Sequence, residues 1–283
     1  MKIILVCVGN FQSYILDNIK NLLAFGNKDI DVIISPEFTS YFDNLNVNII
    51  RTDTLNDCNF VSNLDKNFRN GFWHFCSLRL FLLYYHIKKN NLQNCVHIEN
   101  DVMVYENLDY LENKLNKDKI SATFDCDKRV IPGIIFIPKH ELFEPIIKNY
   151  NINIDDMYNL AQFNENIIEP LPICFDNFYN HKITKHYQKF NCIFDAAAIG
   201  QYLGGVDPRN QDGDTRGFIN ETCLIKYNEY KFFWIKNNEQ LYKPYIFYNN
   251  NYIPIINLHI HSKNLANFMG TQPNESKFIK FMN

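Results

Sequence analysis

Val96-His97-Ile98-Glu99-Asn100-Asp101-Val102-Met103-Val104-Tyr105 is an apolar strand that runs straight into an acidic-x-acidic triplet. Residues i and i+2 of an extended chain point to the same side. Glu99 and Asp101 therefore project together from the carboxyl end of a buried strand, where open α/β sheets bind ligands. Two carboxylates so placed can hold Mg²⁺ or Mn²⁺, whose remaining positions accept water or diphosphate oxygens. A solvated loop after a strand is the alternative for the triplet taken alone.

The flanking sequence reads as an α/β chain. Ile3 to Val8 is a continuous apolar run, as expected of a strand covered on both faces, and Gly9-Asn10 breaks it. Ile15, Ile19, Leu22 and Leu23 recur at helical spacing and close at Gly26, and Val32-Ile33-Ile34 and Val47 to Ile50 supply two more strands. Trp73 to Lys89 reads as a long helix. Ile120 to Phe124 and Ile134 to Ile137 read as strands separated by a polar turn with Pro132-Gly133. Asp155 to Phe163 and Asp195 to Leu203 read as helices, the latter closed by Gly204-Gly205. Strands follow at about 223 to 226, 231 to 235, 245 to 248 and 253 to 261. Residues 206 to 220, rich in Gly, Asp and Asn, read as a mobile loop. With no internal repeat or linker, residues 1–283 are expected to form one domain, 1–125 its nucleotide-binding half and 126–283 its acceptor-binding half.

Two further clusters bear on chemistry. In Asn257-Leu258-His259-Ile260-His261-Ser262-Lys263, His259 and His261 face the same way along a strand. Neutral imidazole is a good ligand for a divalent cation, and Lys263 can meet a phosphate as a point charge. Paired surface histidines are the plain alternative; of the two as ligands, His261 is preferred because it is nearer the strand end. In Phe194-Asp195-Ala196-Ala197-Ala198-Ile199-Gly200, Asp195 is either a helix cap or a general base. The small residues after it permit close approach of another backbone or of a sugar.

The triplet, the upstream helix Phe72 to Lys88 with its single Arg79, the Asp195 segment and the terminal His-Lys segment together resemble the GT-A glycosyltransferases with a D-x-D motif, here with Glu in first place. The resemblance covers most of the chain in order. It implies a Rossmann-like nucleotide-diphospho-sugar transferase fold, with a mostly parallel sheet flanked by helices. It implies transfer of a hexosyl or N-acetylhexosaminyl group from a nucleotide sugar, UDP-linked by default, to a glycan or other acceptor. It places Glu99, Asp101, His259 and His261 on Mn²⁺ or Mg²⁺, Gly9, Asn10, Arg79, Asn100 and Lys263 on the donor, and Asp195 at the reacting hydroxyl; an ion pair with a structural carboxylate is the alternative for Arg79. Two rivals are a sugar nucleotidyltransferase and a catalytically inactive glycan-binding or scaffold protein. The first normally carries a Gly- and Arg-rich loop after its first strand, which Gly9 to Ser13 is not.

Composition narrows the field. A net charge of -3 from 28 basic and 31 acidic residues, without a basic block, points away from nucleic acid. The eight cysteines contain no C-x-x-C pair, which disfavours a zinc or dithiol site, and they are expected to be reduced. The N-terminal apolar run is too short for a signal peptide and no stretch reaches a membrane span, so a cytoplasmic protein is expected.

Overall fold

The computed structural model describes all residues except 56–57, 164, 176–184, 211–224 and 283. The first strand, β1 (Lys2–Cys7), is buried because both of its faces are covered. Ile3, Leu5 and Cys7 pack on one side with Ile15, Ile19 and Leu22 of α1 (Ile15–Ala24). Ile4 and Val6 pack on the other with Leu80, Leu83 and Ile87 of α2 (Phe72–Lys89). The unbroken apolar run thus has a two-sided cause, and its burial is the main source of stability for this layer.

The other strands in chain order are β2 (Ile30–Ile34), β3 (Asn48–Arg51), β4 (Cys95–Ile98), β5 (Val102–Val104), β6 (Ile120–Cys126), β7 (Arg129–Ile137) and β8 (Ile168–Pro170). They continue with β9 (Lys231–Lys236), β10 (Tyr242–Tyr248), β11 (Asn251–Pro254), β12 (Asn257–His259) and β13 (Ile279–Phe281). Helices α3 (His140–Lys148), α4 (Asp156–Ala161), α5 (Tyr187–Phe190) and α6 (Ile199–Gly204) complete the set used below. The central sheet has seven strands in the order β3-β2-β1-β4-β7-β6-β8. β1 pairs in parallel with β2 and β4, β2 with β3, and β6 with β8, whereas β7 runs antiparallel to both of its neighbours. The fold is therefore α/β with a mixed, mostly parallel sheet. Among the described residues no helix is long and apolar enough to cross a membrane. The described cysteines are free thiols, and Cys223 lies outside the described residues.

Several expected boundaries shift. The turn before β7 lies at Asp127-Lys128, not at Pro132-Gly133. Those two residues sit inside β7, where the pairing with β6 jumps from Ala122↔Ile135 to Thr123↔Ile131. A proline has no N–H for the ladder, and the bulge absorbs it. The helix expected from Asp195 begins only at Ile199, because Ala197 has a positive φ of 59°. The 107–116 segment is a 3₁₀ helix over Leu108–Lys114. Most of the loop expected at 206–220, and half of the strand expected at 223–226, lie outside the described residues.

A second, four-stranded sheet in the order β11-β10-β9-β13 turns Phe232, Trp234 and Ile246 inward. There Trp234 meets Tyr105, with ring centroids 5.6 Å apart, just beyond β5. β12 leaves this sheet and pairs antiparallel with β5, with His259 opposite Val102 and Leu258 opposite Met103. That short ladder returns the C-terminal segment to the acidic triplet.

One ion pair inside the sheet gives the fold a pH signature. Asp31 on β2 is buried, which alone would raise its pKa. Hydrogen bonds from His86, Asn48 and Lys2 overcome this and lower it to about 2. A carboxylate with a depressed folded pKa stabilises fully above its unfolded value of about 4 and loses that contribution as pH falls towards about 2. Urea unfolding of the wild type and of Asp31→Asn should therefore show a gap near neutral pH that narrows between about pH 4 and pH 2. A gap independent of pH would contradict this.

Candidate metal centre

β4 ends at Ile98, and Glu99 opens the turn with its N–H donated to the Gly133 carbonyl, 3.0 Å away in the β7 bulge. Asn18 of α1, buried in an otherwise apolar helical stripe, donates to the carbonyls of Glu99 and Asn100, both at 3.1 Å. One turn later Asn21 donates to the Val104 carbonyl at 2.7 Å and accepts from Gly270 N at 2.9 Å. Asn100 turns inward and donates to the Val6 carbonyl at 2.7 Å and to Gln12. These amides satisfy backbone carbonyls that would otherwise be buried unpaired and fix the triplet to β1 and α1. Asn100, expected on the donor, is thus a buried staple of the turn.

The two flanking carboxylates face the same space. Glu99 accepts from Arg79 through Oε1, and its Oε2 lies 3.4 Å from His259 Nε2. The same imidazole nitrogen is 3.3 Å from Asp101 Oδ2, and Lys263 Nζ pairs with that carboxylate oxygen as well. One ligand atom each from Glu99, Asp101 and His259 falls within a 4.8 Å group, the set a divalent cation needs from a protein that leaves further positions to its substrate. The donor chemistry fits Mn²⁺ or Mg²⁺: two hard carboxylate oxygens and one imidazole. Gly133 packs against this group: a Cβ there would lie tightly, 3.0 Å from His259 Nδ1, and in ordinary contact with Glu99 Oε2 at 3.5 Å.

Charge balance explains how two acids share a buried corner. Burial pushes the Asp101 carboxyl up, but Lys263 and His259 hold it well below the ordinary carboxylate range. Burial lowers the His259 pKa and Asp101 and Glu99 raise it, and the net effect is upward. Arg79 is 8% exposed and bridges Glu99 and Asp156 of α4, its second bond being 2.7 Å. Burial raises Asp156 to about 6, against the pull of Arg79. Arg79 was expected to reach the donor; its guanidinium is instead committed to two carboxylates and aims Glu99. Nothing in the sequence reading singled out Asp156, because in the pair Asp155-Asp156 either residue could cap α4. Asp155 does so, accepting from Tyr158 N at 3.1 Å.

His261 stands outside the three-ligand group. Its ring centroid is 4.4 Å from that of His259, and its Nε2 is buried without a hydrogen-bond partner among the described residues. The chain leaves the ladder at His259, with Ile260 N on the Asp101 carbonyl at 2.8 Å and His261 N turning back to the His259 carbonyl. Strand parity is lost there, and with it the reason to prefer His261. Gly9, with φ 77°, and Asn10 are exposed at the end of β1. A Cβ on Gly9 would come within 2.5 Å of the Phe75 ring of α2.

Of the two tasks expected of Asp195, its contacts are those of a cap on the first turn of α6. It is fully buried and accepts from Ala198 N, Ile199 N, Gly200 N and His259 N at 2.7–2.8 Å. Burial raises its pKa, against those backbone donors. A carboxylate saturated by four N–H groups and closed to solvent is not placed to take a proton from an acceptor; it ties α6 to β12. Gly200 makes the contact possible, since a Cβ there would lie 2.1 Å from the His259 carbonyl oxygen. The small residues admit a backbone rather than a sugar.

No family model matches the chain, and no curated protein does. Solved structures similar to it include the galactosyltransferase LgtC in complex with donor and acceptor sugar analogues, at 13% identity over 67% of this chain and 82% of that one, TM-score 0.42. Mouse xyloside xylosyltransferase 1 is similar at 8% identity, over 60% and 84%, TM-score 0.42. A nucleotidyl transferase from Methanothermobacter is similar at 9% identity, over 57% and 82%, TM-score 0.38. The likeness is one of fold.

Two measurements test this geometry. Calorimetric titration with Mn²⁺ should show at least about tenfold weaker binding for Glu99→Ala, Asp101→Ala and His259→Ala, and a change of less than about threefold for His261→Ala; equal losses for both histidines would refute the assignment of ligands. Asp195→Asn should lower unfolding free energy by about 3 kcal/mol or more, since it removes charge-assisted bonds and turns an amide N–H towards backbone donors. A stability change under about 1 kcal/mol would return Asp195 to the list of candidate bases.

Proposed function

We propose that the protein is a metal-dependent glycosyltransferase that uses a nucleotide-sugar donor, with UDP as the first nucleotide to test. The observation that carries this reading is the convergence of Glu99, Asp101 and His259 with Lys263 at the carboxyl edge of the sheet. Glu99, Asp101 and His259 would hold Mn²⁺ or Mg²⁺, and the bound cation would offset the negative charge that grows on a departing nucleoside diphosphate.

The chain's own groups supply the rest. Lys263 brings an ammonium group to the same carboxylate edge, where it can meet a diphosphate oxygen as a point charge. Arg79 keeps one oxygen of Glu99 occupied and leaves the other facing His259, so the acid is oriented before any ligand arrives. Asp195 acts as a positioning residue that sets the place of His259 through its backbone N–H. Exposed Gly9 and Asn10 leave the end of β1 open to a nucleoside. A hydroxyl-bearing glycan is the natural acceptor for such a donor.

Thermal unfolding with UDP, GDP or CMP, each with and without Mn²⁺, tests the reading. One nucleotide should raise Tm only when Mn²⁺ is present, by an amount equivalent to about 2.7 kcal/mol at a hundred times its Kd. The matching nucleotide sugar should then be hydrolysed slowly by the wild type and not by Asp101→Ala. No shift with any nucleotide would favour an inactive scaffold. Pyrophosphate release from a nucleoside triphosphate and a sugar phosphate would favour a nucleotidyltransferase.

A further inference from the structure

The amino-terminal turn of α2 carries more aromatic surface than its packing uses. Phe68 is 39% exposed, and Phe72 and Trp73 are only half-buried. The Phe68 and Trp73 rings lie nearly parallel, at 9° with centroids 6.0 Å apart, and Phe72 stands edge-on to both at 6.3 and 4.9 Å. The Arg69 guanidinium covers Phe68 at 5.0 Å and reaches Asp207 at 3.7 Å.

The backbone that presents these rings is held in an uncommon form. Arg69, Asn70 and Gly71 all have positive φ, at 47°, 56° and 85°. Left-handed geometry is unfavourable at residues bearing a Cβ, and such segments gather at ligand-binding sites. Hydrophobic demand alone would bury the rings; the turn leaves them at the surface.

Phe72 is the ring of this group that shares a side of α2 with the site described above. Phe72, Phe75 and Arg79 recur at helical spacing on α2, so they lie along one side of it. Arg79 ends that row on Glu99, and Phe75 covers Gly9 at the end of β1. Phe72 stands seven residues before Arg79, about 10 Å along the helix axis. That is the length of roughly two sugar rings, measured from the helical rise.

We propose that Phe72 and Trp73, backed by Phe68, form the platform on which a neutral sugar ring of the acceptor stacks. A pyranose presents an apolar face of C–H bonds, which packs against the electron-rich face of an aromatic ring. The proposal rests on the transferase reading for its choice of occupant.

Saturation-transfer NMR on the full chain, with UDP and Mn²⁺ present, tests it with lactose, maltose and cellobiose as probes. At least one disaccharide should receive saturation at the C–H protons of one ring face. Its Kd should rise at least tenfold in Trp73→Ala and in Phe72→Ala, and return to within about threefold in Trp73→Tyr, since Tyr keeps an aromatic face. The nucleotide-dependent thermal shift of each variant reports whether the donor site is intact. An intact shift with no saturation transfer, or with transfer unchanged in Trp73→Ala, overturns the platform and leaves the transferase reading standing. Stacking that depends on Trp73 without any nucleotide shift upholds the platform and overturns that reading. Loss of both overturns both.

Discussion

Two carboxylates cannot share a buried corner unless cations accompany them, and this requirement organises the structure. Glu99 and Asp101 leave β4 on the same side, with Asp101 7% exposed. Arg79 from α2 meets the first, Lys263 from the C-terminal segment meets the second, and His259 lies between them. An uncompensated charge at either position would be costly. The helix, the acidic turn and the terminal ladder are therefore bound to one another electrostatically as well as by packing. The same arrangement that balances the charges also leaves carboxylate and imidazole atoms facing one space.

Hydrogen bonds to the backbone hold this charged arrangement in register. Asn18, Asn21 and Asn100 tie the triplet and β5 to α1 and to the end of β1. Asp195 fastens α6 to His259 N, and Gly200 lets the two backbones approach. Three of these four polar residues are fully buried and the fourth nearly so, and each bonds backbone groups. In such a dry setting a satisfied hydrogen bond is geometrically exacting, while a missing partner is expensive. The site is thus preorganised by hydrogen bonds to its backbone.

Much of this was legible in the sequence because it depends on local periodicity. The two-sided burial of Ile3 to Cys7, the stripe of α1 and the length of α2 all follow from spacing, whereas Glu99 and Asp101 meet across a turn rather than along an extended strand. What was not legible depends on pairing between distant segments. His259 and His261 have the same strand parity, and only the register of β12 on β5 shows that the ladder ends at His259. Asp155 and Asp156 are adjacent and chemically alike, yet one caps α4 and the other is buried against Arg79. Ala197 at φ 59° breaks the helix expected from Asp195 because the carboxylate must collect three N–H groups of the following turn. A signal for Asn18 was present: a polar residue inside an apolar helical stripe has to bond something.

The most direct test of the account is the anomalous diffraction of manganese in crystals grown with Mn²⁺ and UDP. The account predicts a single strong peak at bonding distance from a Glu99 oxygen, an Asp101 oxygen and His259 Nε2, with the diphosphate against it. A manganese peak elsewhere, with these three side chains still paired only to Arg79 and Lys263, would contradict it.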